Sequence, residues 1–390
     1  MGISSKVESI PFSSIRRMSE LASELEKEGR HIIHLELGRP DFDTPSHIKE
    51  AAIKALMEGK VHYTSNYGIT ELRHAIADKI RTTLGVEYDP ASEIIVTAGG
   101  AEAIYLAFAS LLEPGDKVMV LTPCWPNYLH VPKLMNAGVI EVELRQEDDY
   151  QITKRRLEEF YDPAVKLIVI NSPCNPTGGI LETESLEALK EFALEHSLYV
   201  ISDEVYEAFT YDTGKHLSIL RFTEIKDRVI LVNSFSKTYS MTGWRVGYVA
   251  AEAMVARAMV KVHQNLIACS TSFAQAGALA ALTGPQECVQ EMKKEYERRM
   301  NLVVQGLNEI PVVRCNRPKG AFYVFPSVDA FGMESSEVSE FLLREAGVVT
   351  VPGSGFGKGG EGHIRISYAA SYSDLEIALE KIAIAFQKLR

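Results

Sequence analysis

Between residues 93 and 250 the chain alternates short apolar runs with longer stretches in which apolar and polar positions recur at a helical spacing. The runs EIIVTAG, KVMVLTP, VIEVEL, KLIVINS, LYVISD, RVILVNS and VGYVA read as strands, and 101–112, 128–136 and 183–196 read as helices. Strand and helix in turn predict an α/β fold, with a mostly parallel seven-stranded sheet covered by helices on both faces. Ligands of such open sheets gather beyond the carboxyl ends of the strands, so the residues that follow each run carry the interest.

The flanks differ from this middle. Residues 4–12 show little periodicity and predict an extended arm that needs a partner surface. In 13–28, Ile15, Met18, Leu21, Ala22 and Leu25 fall on one helical face, and Gly29 ends it. A short strand at 31–37 runs into LGRPDFDTP, where Gly38, Pro40 and Pro45 force an irregular turn before a helix at 46–58. Beyond about 285 the alternation stops. A charged helix (286–308), the strand KGAFYVFP, the strand and glycine-rich turn VVTVPGSGF, the strand HIRISYA and a helix at 373–389 make a smaller α/β unit. A chain of 390 residues also exceeds the usual ~100–200 residues of one domain, so two are expected.

Composition narrows the function classes. With 46% hydrophobic and 24% charged residues the chain is an ordinary globular protein, and a net charge of −11 argues against nucleic acid and anionic lipid as partners. No apolar run is long enough to span a bilayer, and the first ten residues lack an apolar signal core. The five cysteines are scattered without a C-x-x-C pair, which predicts no metal site and a reducing, cytoplasmic setting. Cys124 and Cys174 read as buried thiols.

Candidate chemistry concentrates in 234–248, SFSKTYSMTGWRVGY, which follows the run RVILVN. Lys237, with Ser234, Ser236 and Arg245, suits a phosphorylated carbonyl compound. An amine condenses with an aldehyde only when neutral, burial beside other cations favours that form, and hydroxyls with a guanidinium hold phosphate. A solvated Lys/Ser loop is the alternative, and these residues alone leave both open. Gly99, Gly100 and Ala101 follow another strand and open a helix, with Glu102 in its first turn, so backbone N–H groups there can hold phosphate oxygens. Trp125, Asn175, Asp203 and Tyr206 follow further strands, and Arg365 lies on a late one. Structural duties compete at each: packed Trp, turn Asn, capping Asp, core Tyr, surface-strand Arg.

SFSKTYSMTGWRVGY resembles the pyridoxal-phosphate lysine signature of the class I/II aminotransferases, and HYTSNYGITELRHAIADKI resembles their Tyr-Thr…Gly…Glu-Leu-Arg segment. Other motifs of the family recur in order from about 35 to 367. The resemblance implies fold type I of the pyridoxal-phosphate transferases, with pyridoxal 5'-phosphate carried covalently by Lys237. Its phosphate would be bound by Arg245, with Ser234, Ser236, Gly100, Ala101 and Glu102 around it. Asp203 would face the ring nitrogen, Tyr206 and Asn175 the ring hydroxyl oxygen, and Trp125 the ring face. Arg365 would take the substrate α-carboxylate beside Gly38, and Tyr63 would reach the cofactor phosphate of a second subunit in a homodimer with shared active sites. Lys237, Asp203 and Tyr206 are the implied catalytic residues. The implied division is an arm (1–13), a large domain (45–285) and a small domain (14–44 with 286–390).

The implied activity is transfer of an amino group between an L-amino acid and a 2-oxo acid, 2-oxoglutarate or pyruvate, by a ping-pong route. A pyridoxal-phosphate-dependent lyase of the carbon–sulfur or cyclopropane-carboxylate type is the alternative on the same fold. Two positions depart from the family pattern. Ala101 stands where many aspartate-specific members have lysine, and Arg39 stands where Gly-Glu-Pro is usual. Arg39 reads either as a cation for acidic substrates or as the partner of Asp41 or Asp43. Donor and acceptor stay open.

Overall fold

The structure, a computed structural model, describes residues 2–211 and 216–389. Across its large sheet the strands run Ile94–Thr97, Gly247–Ala250, Val229–Ser234, Tyr199–Asp203, Val165–Asn171, Lys117–Thr122 and Gly138–Glu143. Six of the seven run the same way, and Gly247–Ala250 runs against them. The apolar runs are continuous because both faces are covered, and successive residues go to different cores. Ile95, Val118, Val120, Leu167 and Val169 pack on one side with Ile104, Phe108 and Met259. Ile94, Val96, Met119, Leu121, Ile168 and Ile170 pack on the other with Leu72, Ile76 and Leu189. This is the α/β sheet expected from the sequence.

The helix Ser14–Lys27 ends where expected, and the chain returns as the strand Ile33–His34, parallel to Val348–Val349. Residues 14–44 are thereby tied to the C-terminal part of the chain. A second small sheet pairs Val351–Pro352, Ile364–Ser367 and Tyr323–Val324 in antiparallel fashion. These strands are shorter than the sequence suggests. Lys319 and Gly320 both donate their N–H to Gly178 O, and Ala321 turns to φ 57°, so the backbone before Tyr323 is committed elsewhere.

The arm also departs from expectation. Ser5–Glu8 forms a helical turn rather than extended chain, and Lys6 Nζ donates to Leu134 O (3.4 Å), so the segment leans on its own subunit. Local i→i+3 and i→i+4 bonds from Ser4 O outcompete extension there. Among the described residues, no helix is long and apolar enough to cross a membrane.

Candidate active site

All the large-sheet strands except Gly247–Ala250 deliver their carboxyl ends to one edge, and a cavity of about 430 Å³ opens above it. Gly38, Arg39, Gly100, Ala101, Trp125, Asn175, Asp203, Tyr206, Ser234, Ser236, Lys237, Arg245 and Arg365, all candidates from the sequence, line that one cavity. Three candidates, Gly99, Tyr63 and Glu102, do not. Tyr63 is 89% exposed. Glu102 turns its carboxylate back to accept from Ala98 N–H (2.5 Å) and to face His263 Nδ1 (2.9 Å), so it braces the helix start from behind.

A helix N-terminus, Arg245 and two serine hydroxyls meet at one part of the cavity wall. The strand Ile94–Thr97 ends in Gly99, whose φ of +83° lets the helix Gly100–Leu111 begin with its N-terminus at the cavity wall. A Cβ on Gly99 would lie 2.5 Å from Arg245 Nη2, so the guanidinium packs against that bare Cα. Arg245 is held by Thr242 O (3.0 Å) and Ala98 O (3.3 Å). Ser234 ends its strand and caps the helical turn Phe235–Thr238 by accepting from Ser236 N–H, and its hydroxyl donates to Ser236 Oγ (2.9 Å).

Lys237 sits on that turn, and its Nζ donates to Gly38 O. Burial, and then the charges of Arg365 and Arg245, bring the ammonium down to about 8, against the opposing pull of Asp203. Asp203 ends the strand Tyr199–Asp203 and is itself raised to about 6, chiefly by burial. Tyr128 OH donates to its Oδ2 (2.7 Å) and Val205 N–H to its Oδ1 (3.2 Å), which opposes that rise.

A second cation of the lining is fully buried. Arg365 lies on the strand Ile364–Ser367, is 1% exposed, donates Nη1–H to Asn175 Oδ1 (3.0 Å) and Nη2–H to Glu36 O, and leaves Nε without a partner. A buried guanidinium held by an amide and a backbone carbonyl, with no direct carboxylate contact, is poised for an incoming carboxylate. Tyr206 OH meets Tyr323 OH (2.9 Å) beside it, and burial holds the Tyr206 phenol well above its usual range.

Tyr128, Tyr323, Asn171, Ile15, Leu37, Val205 and Thr242 complete the lining and were not among the sequence candidates. Tyr128 lies three residues after Trp125 and packs edge-on against it (5.5 Å, 85°), a proximity that sequence spacing alone could have flagged.

The model of the family described as aminotransferase class I and II matches residues 30–382. The chain belongs to this family. It is 42% identical over 386 residues to the aspartate aminotransferase of Pyrococcus abyssi, covering 98% of this chain and 97% of that one. Identity to the aromatic-amino-acid aminotransferase 2 of Thermococcus litoralis is 41%, with the same shares covered. Among solved structures, the aspartate aminotransferase of Thermus thermophilus with maleate superposes with a TM-score of 0.94 at 38% identity, over 99% of this chain and 100% of that one. This aminotransferase thus has transaminases as relatives along nearly its whole length, and the lyase alternative is not favoured.

The family uses pyridoxal phosphate, and the residues of this aminotransferase fit that group. A phosphate cradle that a Cβ at position 99 would fill, a buried carboxylate for a ring nitrogen and an amine of lowered proton affinity share one cavity.

Proposed function

We propose that this aminotransferase binds pyridoxal 5'-phosphate in the 430 Å³ cavity and moves an amino group between an L-amino acid and a 2-oxo acid, 2-oxoglutarate or pyruvate, in a ping-pong cycle. The observation that carries this reading is the placing of Lys237, with its depressed ammonium, in one cavity with Asp203 and the buried Arg365. The cofactor supplies the electron sink for charge developing at the substrate α-carbon. The chain supplies the rest. Arg245, Ser234, Ser236 and the N–H groups of Gly100 and Ala101 hold the phosphate, and Trp125 covers the ring. Asp203 keeps the ring nitrogen protonated, since a carboxylate enclosed there regains its low proton affinity beside a cation. Asn175 and Tyr206 direct hydrogen bonds at the ring oxygen. Arg365 fixes the α-carboxylate. Lys237, once its amine is free, would take the proton from the substrate α-carbon and deliver it on the far side of the substrate nitrogen, a task suited to a group titrating at about 8.

In this reading the small domain (14–44 with 286–390) brings Gly38, Arg39, Tyr323 and Arg365 to the cavity, and the large domain (45–285) brings Lys237 and Asp203. The arm (1–13) and Tyr63 serve a homodimer with shared sites. Exposure of Ile53, Met57, Val61 and Tyr63 on the segment from 53 to 63 supports that assembly. The five cysteines are free thiols, in keeping with a cytoplasmic protein. Borohydride reduction of the cofactor-loaded protein followed by peptide mapping should place the label on the peptide holding Lys237. Label on another lysine would overturn the assignment.

A further inference from the structure

Three anions meet at this site when the substrate carries a side-chain carboxylate, and the cavity lining holds three arginines. Arg245 packs at the helix N-terminus, and Arg365 is buried. Arg39 is the third. Like Arg245, it lines the cavity and is exposed to solvent. Its backbone is fixed from both sides. Gly38 O accepts from Lys237 Nζ, and a Cβ on Gly38 would lie 2.7 Å from Tyr323 OH, while Pro40 is buried. The acids that could have claimed its guanidinium are taken. Asp41 receives two hydrogen bonds from Arg299 Nη1 (2.8 and 2.9 Å), and Asp43 one from Lys49 Nζ (2.6 Å). Among the described residues, nothing forms a hydrogen bond or ion pair with the Arg39 side chain. Across the lining, position 101 is alanine and offers no charge, and Ile15 and Leu37 are apolar.

We infer that Arg39 is the receptor for the side-chain carboxylate of a dicarboxylic amino acid or 2-oxo acid and so sets this enzyme's preference for acidic substrates. The assignment rests on the aminotransferase reading above. A guanidinium fork meets a carboxylate with two parallel N–H···O bonds, and a cation with no internal partner has none to give up when substrate arrives.

The test uses the cofactor-loaded wild type, Arg39→Ala and Arg39→Gln. The ratio of kcat/KM for glutamate to that for phenylalanine should fall about ten- to a hundredfold in both variants, as charge-assisted hydrogen bonds are lost, with the change carried by KM for glutamate. Calorimetry with glutarate, an unreactive dicarboxylate, should show a matching loss of affinity. A ratio and a glutarate affinity within about twofold of wild type would overturn the role of Arg39. Inertness of the wild type toward every amino donor would instead overturn the aminotransferase reading, and glutarate calorimetry would still decide Arg39 by itself.

Discussion

A buried lysine amine with guanidinium charges nearby releases its proton more readily than one in water, and Lys237 is brought to about 8 by burial first and then by Arg365 and Arg245. The same shift has a consequence for stability. Between about 8 and the ordinary lysine value of 10.5, the unfolded chain still holds the proton that folded Lys237 has released. Stability must then rise with pH across that window, and the cost of burying the ammonium is fully present below it. Denaturant midpoints of the cofactor-free wild type and Lys237→Met should therefore converge as pH rises from about 8 toward 10.5, the variant being the more stable at the low end. Parallel curves would show that the amine is not perturbed. Much of the cavity was legible at this scale because Lys237, Asp203, Asn175, Trp125 and Arg245 follow strands in a recognisable order. Tyr128 and Tyr323 were not, since periodicity cannot tell a tyrosine whose hydroxyl serves Asp203 or Tyr206 from one that only fills a core. The side chain of Glu102 was legible only as one of the first turn of a helix. Its direction is set by His263, far along the chain.

At the scale of elements, the large sheet could be read because continuous apolar runs have one physical reason, coverage on both faces. Ser272–Thr283 escaped notice because an alanine-rich helix packed against Ile48 and Trp244 has no polar face to mark its period. The strand around Tyr323 was overread because tertiary bonds to Gly178 bind its first residues. The helix Gly100–Leu111 is the element proposed to hold the cofactor phosphate, and its start depends on Gly99. Gly99→Ala forces a Cβ into Arg245 at a φ of +83°, so the substitution should cost roughly 1–3 kcal/mol and weaken pyridoxal phosphate binding about tenfold or more. Equilibrium dialysis measures the second effect. Unchanged affinity would mean that neither the cradle nor Arg245 contributes. The helix Ser14–Lys27 is fastened by a different device: the fully buried Glu36 accepts from Ser19 Oγ (2.8 Å) and faces His34 Nδ1 (3.0 Å), whose Nε2 faces Glu26 (3.1 Å). His34 is raised to about 9, the hydrogen bond to Glu36 being the largest cause. This fastening is complete below the ordinary histidine value of 6.5 and is lost as pH rises through about 9.

The whole molecule carries a pattern that one chain does not resolve: Met57 and Tyr63 are 84% and 89% exposed, and Phe12 is 100% exposed. Apolar groups left open to solvent on one chain fit a second subunit, and sedimentation at low concentration should show a dimer. Mixing Lys237→Ala with Tyr63→Ala subunits should restore one site of wild-type activity per mixed dimer if Tyr63 serves its neighbour, and none if it serves its own chain. A fully active monomer would contradict the shared-site account. Transamination by this cavity has a decisive signature in a single turnover. Wild-type enzyme loaded with pyridoxal phosphate is mixed with excess amino donor and no 2-oxo acid. The account predicts about one equivalent of 2-oxo acid per chain and then a halt, until an added acceptor is aminated and restarts the cycle. Continued release of product with ammonia, or no product at all, would contradict it.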